Sequence, residues 1–125
     1  MNTHLYTIQI RVLIYQEDAE WVARALEMDL LGYGDSPKAA VEELKQAIEA
    51  QISFAHQMND DSLIPFRAEE EYFKRWEDAQ RNALRREILG EHSIKVQAIA
   101  CIISFTKSEL ESLRKRRFKP SEVCA

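Results

Sequence analysis

The sequence predicts an α+β fold: an antiparallel three-stranded meander packed on one helix, followed by a long amphipathic helix, a further strand and a short C-terminal helix. Three observations carry this expectation. From Leu5 to Tyr33, apolar and polar side chains alternate with a period of two, broken only by short polar links. Two later stretches, from Pro37 and from Ala68, repeat apolar residues every three or four positions. The chain of 125 residues is 46% hydrophobic and 30% charged with only three glycines and three prolines, the balance of one globular unit and not of a fibrous or disordered chain.

Each element has its own justification. Tyr6, Ile8, Ile10, Val12 and Ile14 fall on one face of a first strand, with Thr7, Gln9 and Arg11 on the other. Gln16 to Ala19 is polar and short enough for a hairpin loop. Glu20 to Met28 alternates again, with Trp21, Ala23 and Ala25 on one side and Val22, Leu26 and Met28 on the other. A third short strand runs through Leu30, Leu31 and Tyr33, where Gly32 and Gly34 permit a bulge or tight turn. Ser36 can cap a helix, and Pro37 suits its first position, where a missing N–H costs nothing. The stripe Val41, Leu44, Ile48, Ile52, Ala55 and Met58 follows, and Asn59-Asp60-Asp61-Ser62 ends it.

A second helix is expected from about Ala68 to Leu89, with the stripe Tyr72, Phe73, Trp76, Ala79, Ala83, Leu84 and Ile88. Glu70–Lys74, Glu71–Arg75 and Glu77–Arg81 are acid-before-base pairs at i, i+4, and Gly90 suits a left-handed C-cap. Ile94 to Phe105 reads as a strand buried on both faces, although a buried helix has a similar pattern. A twice-buried strand needs cover on its far side, for which a second copy of the protein would serve. Thr106-Lys107-Ser108-Glu109 matches a capping box, opening a last helix through Leu110 and Leu113 to about Arg117. Residues 1–62 thus form a β-β-β-α core. Residues 63–125 form a helix-strand-helix extension packed on that core or in an oligomer interface, without being an independent domain.

Composition narrows the function. No apolar run reaches the roughly 20 residues of a membrane-spanning helix, and Met1-Asn2-Thr3-His4 lacks a secretory pattern. Cys101 and Cys124 do not make a disulfide framework, which suits a reducing cytoplasm. Residues 1–59 carry 9 acidic and 4 basic side chains, residues 60–91 carry 9 and 6, and the remainder 3 and 7. The acidic front and basic end suit two different partners or head-to-tail self-association. The basic run can equally be a solvated tail.

Chemistry-bearing motifs are missing: no phosphate-cradling glycine loop, no H-E-x-x-H and no paired C-x-x-C. His4, His56 and His92 lie far apart without a second ligand at helical spacing. No cofactor or metal is expected, and an enzyme is not. Glu27 and Asp29 would share one strand face, the arrangement a metal-dependent nuclease would use. Acids at a strand end, like Glu17 and Asp18 in the hairpin, more commonly cap or face solvent.

The run Trp21 to Ala40 resembles the HicB-like antitoxin family. An aromatic-led strand is followed by an L-E-x-D-L segment and then by G-D-S opening a helix. Trp21, Ala23, Leu26, Glu27, Asp29, Gly34, Asp35, Ser36 and Ala40 carry the match, and Leu44, Ala47 and Ile48 fit the helix. It covers about residues 5–58, under half the chain. The resemblance implies a degraded RNase H-like β-β-β-α core without nuclease activity. It also implies a partner, the small ribonuclease toxin HicA, whose active site the antitoxin covers, and homo-oligomers are common. Many members bind operator DNA through a C-terminal helix-turn-helix or ribbon-helix-helix. Here the chain departs from the pattern after residue 60: only one helix fits after Ile103, and 68–89 has no partner helix across a short turn.

Three sets of residues follow as candidates. Trp21, Glu27, Asp29, Tyr33 and Asp35 would meet a basic toxin, with Tyr15 as a further aromatic near the meander surface. Arg114, Lys115, Arg116, Arg117 and Lys119 would meet nucleic acid. Tyr72, Phe73, Trp76, Ile99 and Ile103 would lie in an oligomer interface, the aromatic stripe being alternatively core. The competing function is an orphan homo-oligomer whose basic tail binds nucleic acid without reading sequence.

Overall fold

The computed structural model describes residues 6–90 and 98–115. Four strands, β1 (Tyr6–Glu17), β2 (Glu20–Ala25), β3 (Leu31–Gly34) and β4 (Ala98–Thr106), form one antiparallel sheet in the order β3-β2-β1-β4. Helix α1 (Pro37–Met58) follows the meander, and a 3₁₀ turn (Asp61–Leu63) leads to α2 (Glu70–Leu89). Helix α3 (Lys107–Lys115) follows β4 directly. The α+β class and the element order match the expectation from sequence.

The sheet is covered on both faces. Ile10, Val12, Ile14, Ala23, Ala25, Ile103 and Phe105 point toward α1 and α3, meeting Ala40, Leu44, Ile48, Leu110 and Leu113. Leu44, Ile48 and Phe105 are wholly buried, and each such side chain contributes about 1.5–3 kcal/mol. Leu13, Tyr15, Val22 and Leu26 point the other way, toward Ala68, Phe73 and Trp76. Strand β1, the central strand, is therefore buried on both faces in its second half.

Local chemistry sets the boundaries. Asp18 and Ala19 both take positive φ, 50° and 66°, and join β1 to β2 between the paired Glu17 and Glu20. The hairpin is tighter than the four-residue loop expected, and Ala19 adopts a conformation a Cβ disfavours. Ser36 accepts from the Ala39 N–H at 3.1 Å, and Pro37 opens α1 as anticipated. Asn59 closes it in the left-handed region, and Gly90 closes α2 at φ 66°. The capping box at α3 is reciprocal. Thr106 N–H donates to Glu109 Oε1 at 3.0 Å, and Glu109 N–H donates to Thr106 Oγ1 at 3.2 Å.

Four expectations need correcting. First, β2 ends at Ala25 and not at Met28. Leu26 to Leu30 form a turn in which Asp29 has φ 44°, so Met28 swings to the α1 face beside Ala23 and Ala25. Second, Gly32 and Gly34 serve neither bulge nor turn. A Cβ on Gly32 would stand 2.4 Å from Ala40 O and Leu44 N, and one on Gly34 would stand 2.6 Å from Ala40 N. The glycines let the α1 backbone lie directly on β3. Third, β4 is not buried on both faces: Ile103 and Phe105 are buried, but Ile102 is 46% exposed, because β4 is the last strand of the sheet. Its expected start, residues 94–97, lies outside the described residues. Fourth, members of two of the i, i+4 pairs expected on α2 have other partners: Glu70 takes Arg67, and Arg75 lies over Tyr15.

Candidate functional site

Polar and aromatic side chains gather in two regions: the layer between the sheet and α2, and the corner where β3 meets α1. The layer is built by the turn after β2. Leu26 N–H bonds to Arg11 O at 2.9 Å, and Ala68 N–H bonds to Leu26 O at 2.8 Å. These bonds bring Glu27 back over β1, where Arg11 donates to it twice, through its backbone N–H at 2.7 Å and its Nε at 2.8 Å. Asp29 takes the Nη1 of Arg24 at 2.6 Å, and Arg24 Nε donates to Tyr15 Oη at 3.3 Å.

Aromatic rings from α2 close over these arginines. The Arg24 guanidinium lies 4.1 Å from the Tyr72 ring centre, and Arg11 lies 4.6 Å from Phe73 and 5.8 Å from Trp76. Arg67 covers Phe73 at 4.2 Å, and Arg75 covers Tyr15 at 4.7 Å. Trp76 Nε1–H reaches Cys101 O at 3.1 Å. Such stacks contribute about 0.5–1 kcal/mol each where exposed and about 2 where dry. Burial opposes the charge of Arg24, but its bonds to Tyr15 and Asp29 outweigh that, so its pKa stands above the ordinary value.

This arrangement decides what the two acids can do. Glu27 and Asp29 are each held by a guanidinium, and among the described residues no group of three or more His, Cys, Asp or Glu side chains is placed to hold a metal. His56 stands exposed in the last turn of α1, while His4, His92 and Cys124 lie outside the described residues. Burial pushes the Cys101 thiol pKa up, away from nucleophilic reactivity.

The β3–α1 corner is different in kind. Tyr33 is 42% exposed, and its backbone N–H donates to Glu43 Oε1 at 3.1 Å. Asp35, two residues on, and Glu42 and Glu43 in the first turns of α1 are exposed. Tyr33 lies between Gly32 and Gly34, whose Cβ positions face α1, so its ring points to the opposite face of this edge strand while its backbone N–H is held by the Glu43 carboxylate.

The five residues expected to meet a partner do not form one patch. Trp21 packs against the α1-side core, and Glu27 and Asp29 belong to the arginine layer on the opposite face. Only Tyr33 and Asp35 share the exposed corner. Of the residues expected in an oligomer interface, Phe73, Trp76 and Ile103 are buried within the protomer, and Tyr72 and Ile99 pack against the same cores. Arg114 and Lys115 are exposed at the end of α3, Arg114 beside Asp60, Asp61 and His56 at the rim of an open depression of about 430 Å³. Arg116, Arg117 and Lys119 lie outside the described residues. Sequence reasoning missed Arg11, Arg24, Arg67 and Arg75 as a set. The available signal was an arginine at an inward strand position opposite a helix rich in aromatics.

No protein-family model, curated protein or solved structure matches this chain. Among the described residues no helix is long and apolar enough to cross a membrane.

Proposed function

We propose that the chain is a non-catalytic binding protein of the HicB-antitoxin kind, which neutralises a small basic ribonuclease by occupying its active site. The observation that carries this reading is the β3–α1 corner, where half-exposed Tyr33 lies two residues from exposed Asp35 and its backbone N–H is held by the exposed Glu43 carboxylate. A ribonuclease must attract phosphate, so its active surface is basic. An acidic corner would be steered onto it and would compete with RNA, while an aromatic anchor supplies the affinity that steering alone does not. The guanidinium partners of Glu27 and Asp29 support occupation over hydrolysis, because both acids already have cations. Operator binding would fall to the basic end of the chain, starting at Arg114 and Lys115.

The test takes whatever small basic protein is encoded beside this chain, assays it for RNA cleavage, and measures inhibition of that cleavage. Purified protein should block RNA cleavage at equimolar ratio. Tyr33→Ala with Asp35→Lys should weaken inhibition by at least about tenfold, with association slowed and less salt-dependent. Absence of binding to that ribonuclease would overturn the proposal.

A further inference from the structure

The sheet-facing stripe of α2 is longer than the sheet beneath it. Its contacts cross the strands at one level. Ala68 bonds Leu26 beyond β2, Tyr72 covers Arg24 of β2, Phe73 covers Arg11 of β1, and Trp76 bonds Cys101 of β4. The register confirms the level, since Leu13 stands between Arg24 and Ala100, and Arg11 stands beside Ile102. Helix α2 thus leaves the sheet over β4, its last strand.

Ala79 is the last buried residue of α2, yet the helix continues to Leu89. Those further turns extend about 15 Å at 1.5 Å per residue, the width of roughly three strands. Leu84, Ile88 and Leu89 are 59%, 69% and 60% exposed on this overhang. Leu84 follows Phe73 by three helical turns, so it sits on the face that Phe73 turns to the sheet. Below the overhang, the outer edge of β4 has no paired strand among the described residues. Over Ala98–Thr106 it has neither a charged residue nor a proline, the usual protections of an edge. Ile102, on the α2 side of that strand, is 46% exposed.

We infer that a second copy of this chain docks there, its β4 pairing antiparallel with β4 about a two-fold axis and its sheet sliding beneath the overhanging α2. The occupant must be a strand, because among the described residues the outer edge of β4 has unpaired backbone donors and acceptors, and it must be apolar on the side facing α2. Strand β4 meets both demands: Ala98, Ala100 and Ile102 face α2, and no like charges would oppose across the axis. The dimer sheet would run β3-β2-β1-β4-β4-β1-β2-β3. Each α2 would carry Leu84 and Ile88 over the other protomer. Phe73, Trp76 and Ile103 would stay inside their own protomer. This inference does not rest on the antitoxin reading, since it needs no ribonuclease.

The experiment is the solution mass of the full chain by sedimentation equilibrium, with hydrogen exchange of the β4 amides. The expected mass is twice 14.6 kDa, falling on dilution as β4 amides lose protection. Leu84→Glu with Ile88→Glu, both exposed in the protomer, should weaken dimerisation by at least about a hundredfold with unchanged tryptophan fluorescence. Ile102→Lys should do the same from the strand side. A monomer at high concentration would overturn the proposal. So would concentration-independent protection of β4, which would mean that residues 91–97 or another part of the chain covers the edge. A dimer that survives both variants would overturn it equally.

Discussion

Replacing Gly32 by alanine tests why α1 sits where it does. The added Cβ would lie 2.4 Å from Ala40 O and from Leu44 N, and 2.8 Å from Leu44 Cα. Ordinary contact is about 3.5 Å, so the helix or the strand must give by about 1 Å. The obstacles are helix backbone, which cannot rotate aside as a side chain can. Lifting α1 would loosen Ala40, Leu44 and Ile48, all at 0% exposure, from the sheet. A radial gap of that size forfeits about a quarter to a half of each contact's attraction. Overpacking costs about 1–3 kcal/mol, and a backbone clash belongs at the upper end, so about 3 kcal/mol is expected. In a domain of this size that lowers Tm by about 10 °C. The assay is thermal unfolding followed by far-UV circular dichroism, with Gly90→Ala as the control. Gly90 has nothing within 4 Å of its would-be Cβ but has φ 66°, so its replacement costs only the conformational term of about 1 kcal/mol. If Gly32→Ala cost no more than Gly90→Ala, close approach would not be the reason for glycine at position 32.

Three further perturbations follow from particular contacts. Ala19→Gly, at φ 66° in the hairpin, should raise stability by about 0.5–1 kcal/mol in urea unfolding, because it removes the left-handed penalty of a Cβ. Arg24→Lys keeps the charge but loses the stack on Tyr72 and the forked reach to Tyr15 and Asp29; a cost of about 1–2 kcal/mol is expected by the same measurement. The backbone bond from Thr106, its hydroxyl and, more weakly, Lys45 hold the Glu109 carboxyl pKa below its ordinary value. Its cap contribution is therefore full above the unfolded glutamate pKa of about 4.3 and is lost as pH falls through the lower folded value. Protection of the α3 amides, after allowance for the intrinsic pH dependence of exchange, should fall across that acid range in the native chain and not in Glu109→Gln.

The legible parts of this fold were those in which one residue type has one physical job. Ser36-Pro37, the Thr106–Glu109 box and Gly90 each settle a helix end by local hydrogen bonding or φ, and all three stand where the sequence put them. The period of two located β1 and β3, though it overran β2, because Leu26 and Met28 continue the apolar character through a turn. Gly32 was ambiguous because conformational freedom and lack of volume look the same in a sequence; only the position of α1 separates them. The site was less readable for a related reason. Glu27 and Asp29 were noticed as acids, but their partners Arg11 and Arg24 come from other strand positions, and the rings over them come from a helix some fifty residues later. Long-range pairing leaves no periodic trace. Tyr33 and Asp35 can be placed at one corner from the sequence because they lie two residues apart.

The place of β4 in the sheet has a consequence for how the chain folds. The meander and α1 can form from neighbouring segments, but β1 has one edge reserved for a strand from the far end: Tyr15 pairs with Ala98 and Ile8 with Phe105, two-thirds of the chain away or more. Until that strand arrives, the most buried strand of the finished protein presents a bare backbone edge. During synthesis β1 therefore waits, with an aggregation-prone edge open, for residues made more than eighty positions later. Closing so long a loop sets a large entropic barrier, so folding should be limited by the capture of β4 and not by formation of the meander. Docking of α2 and α3 on their two faces can be completed only once that strand is in place.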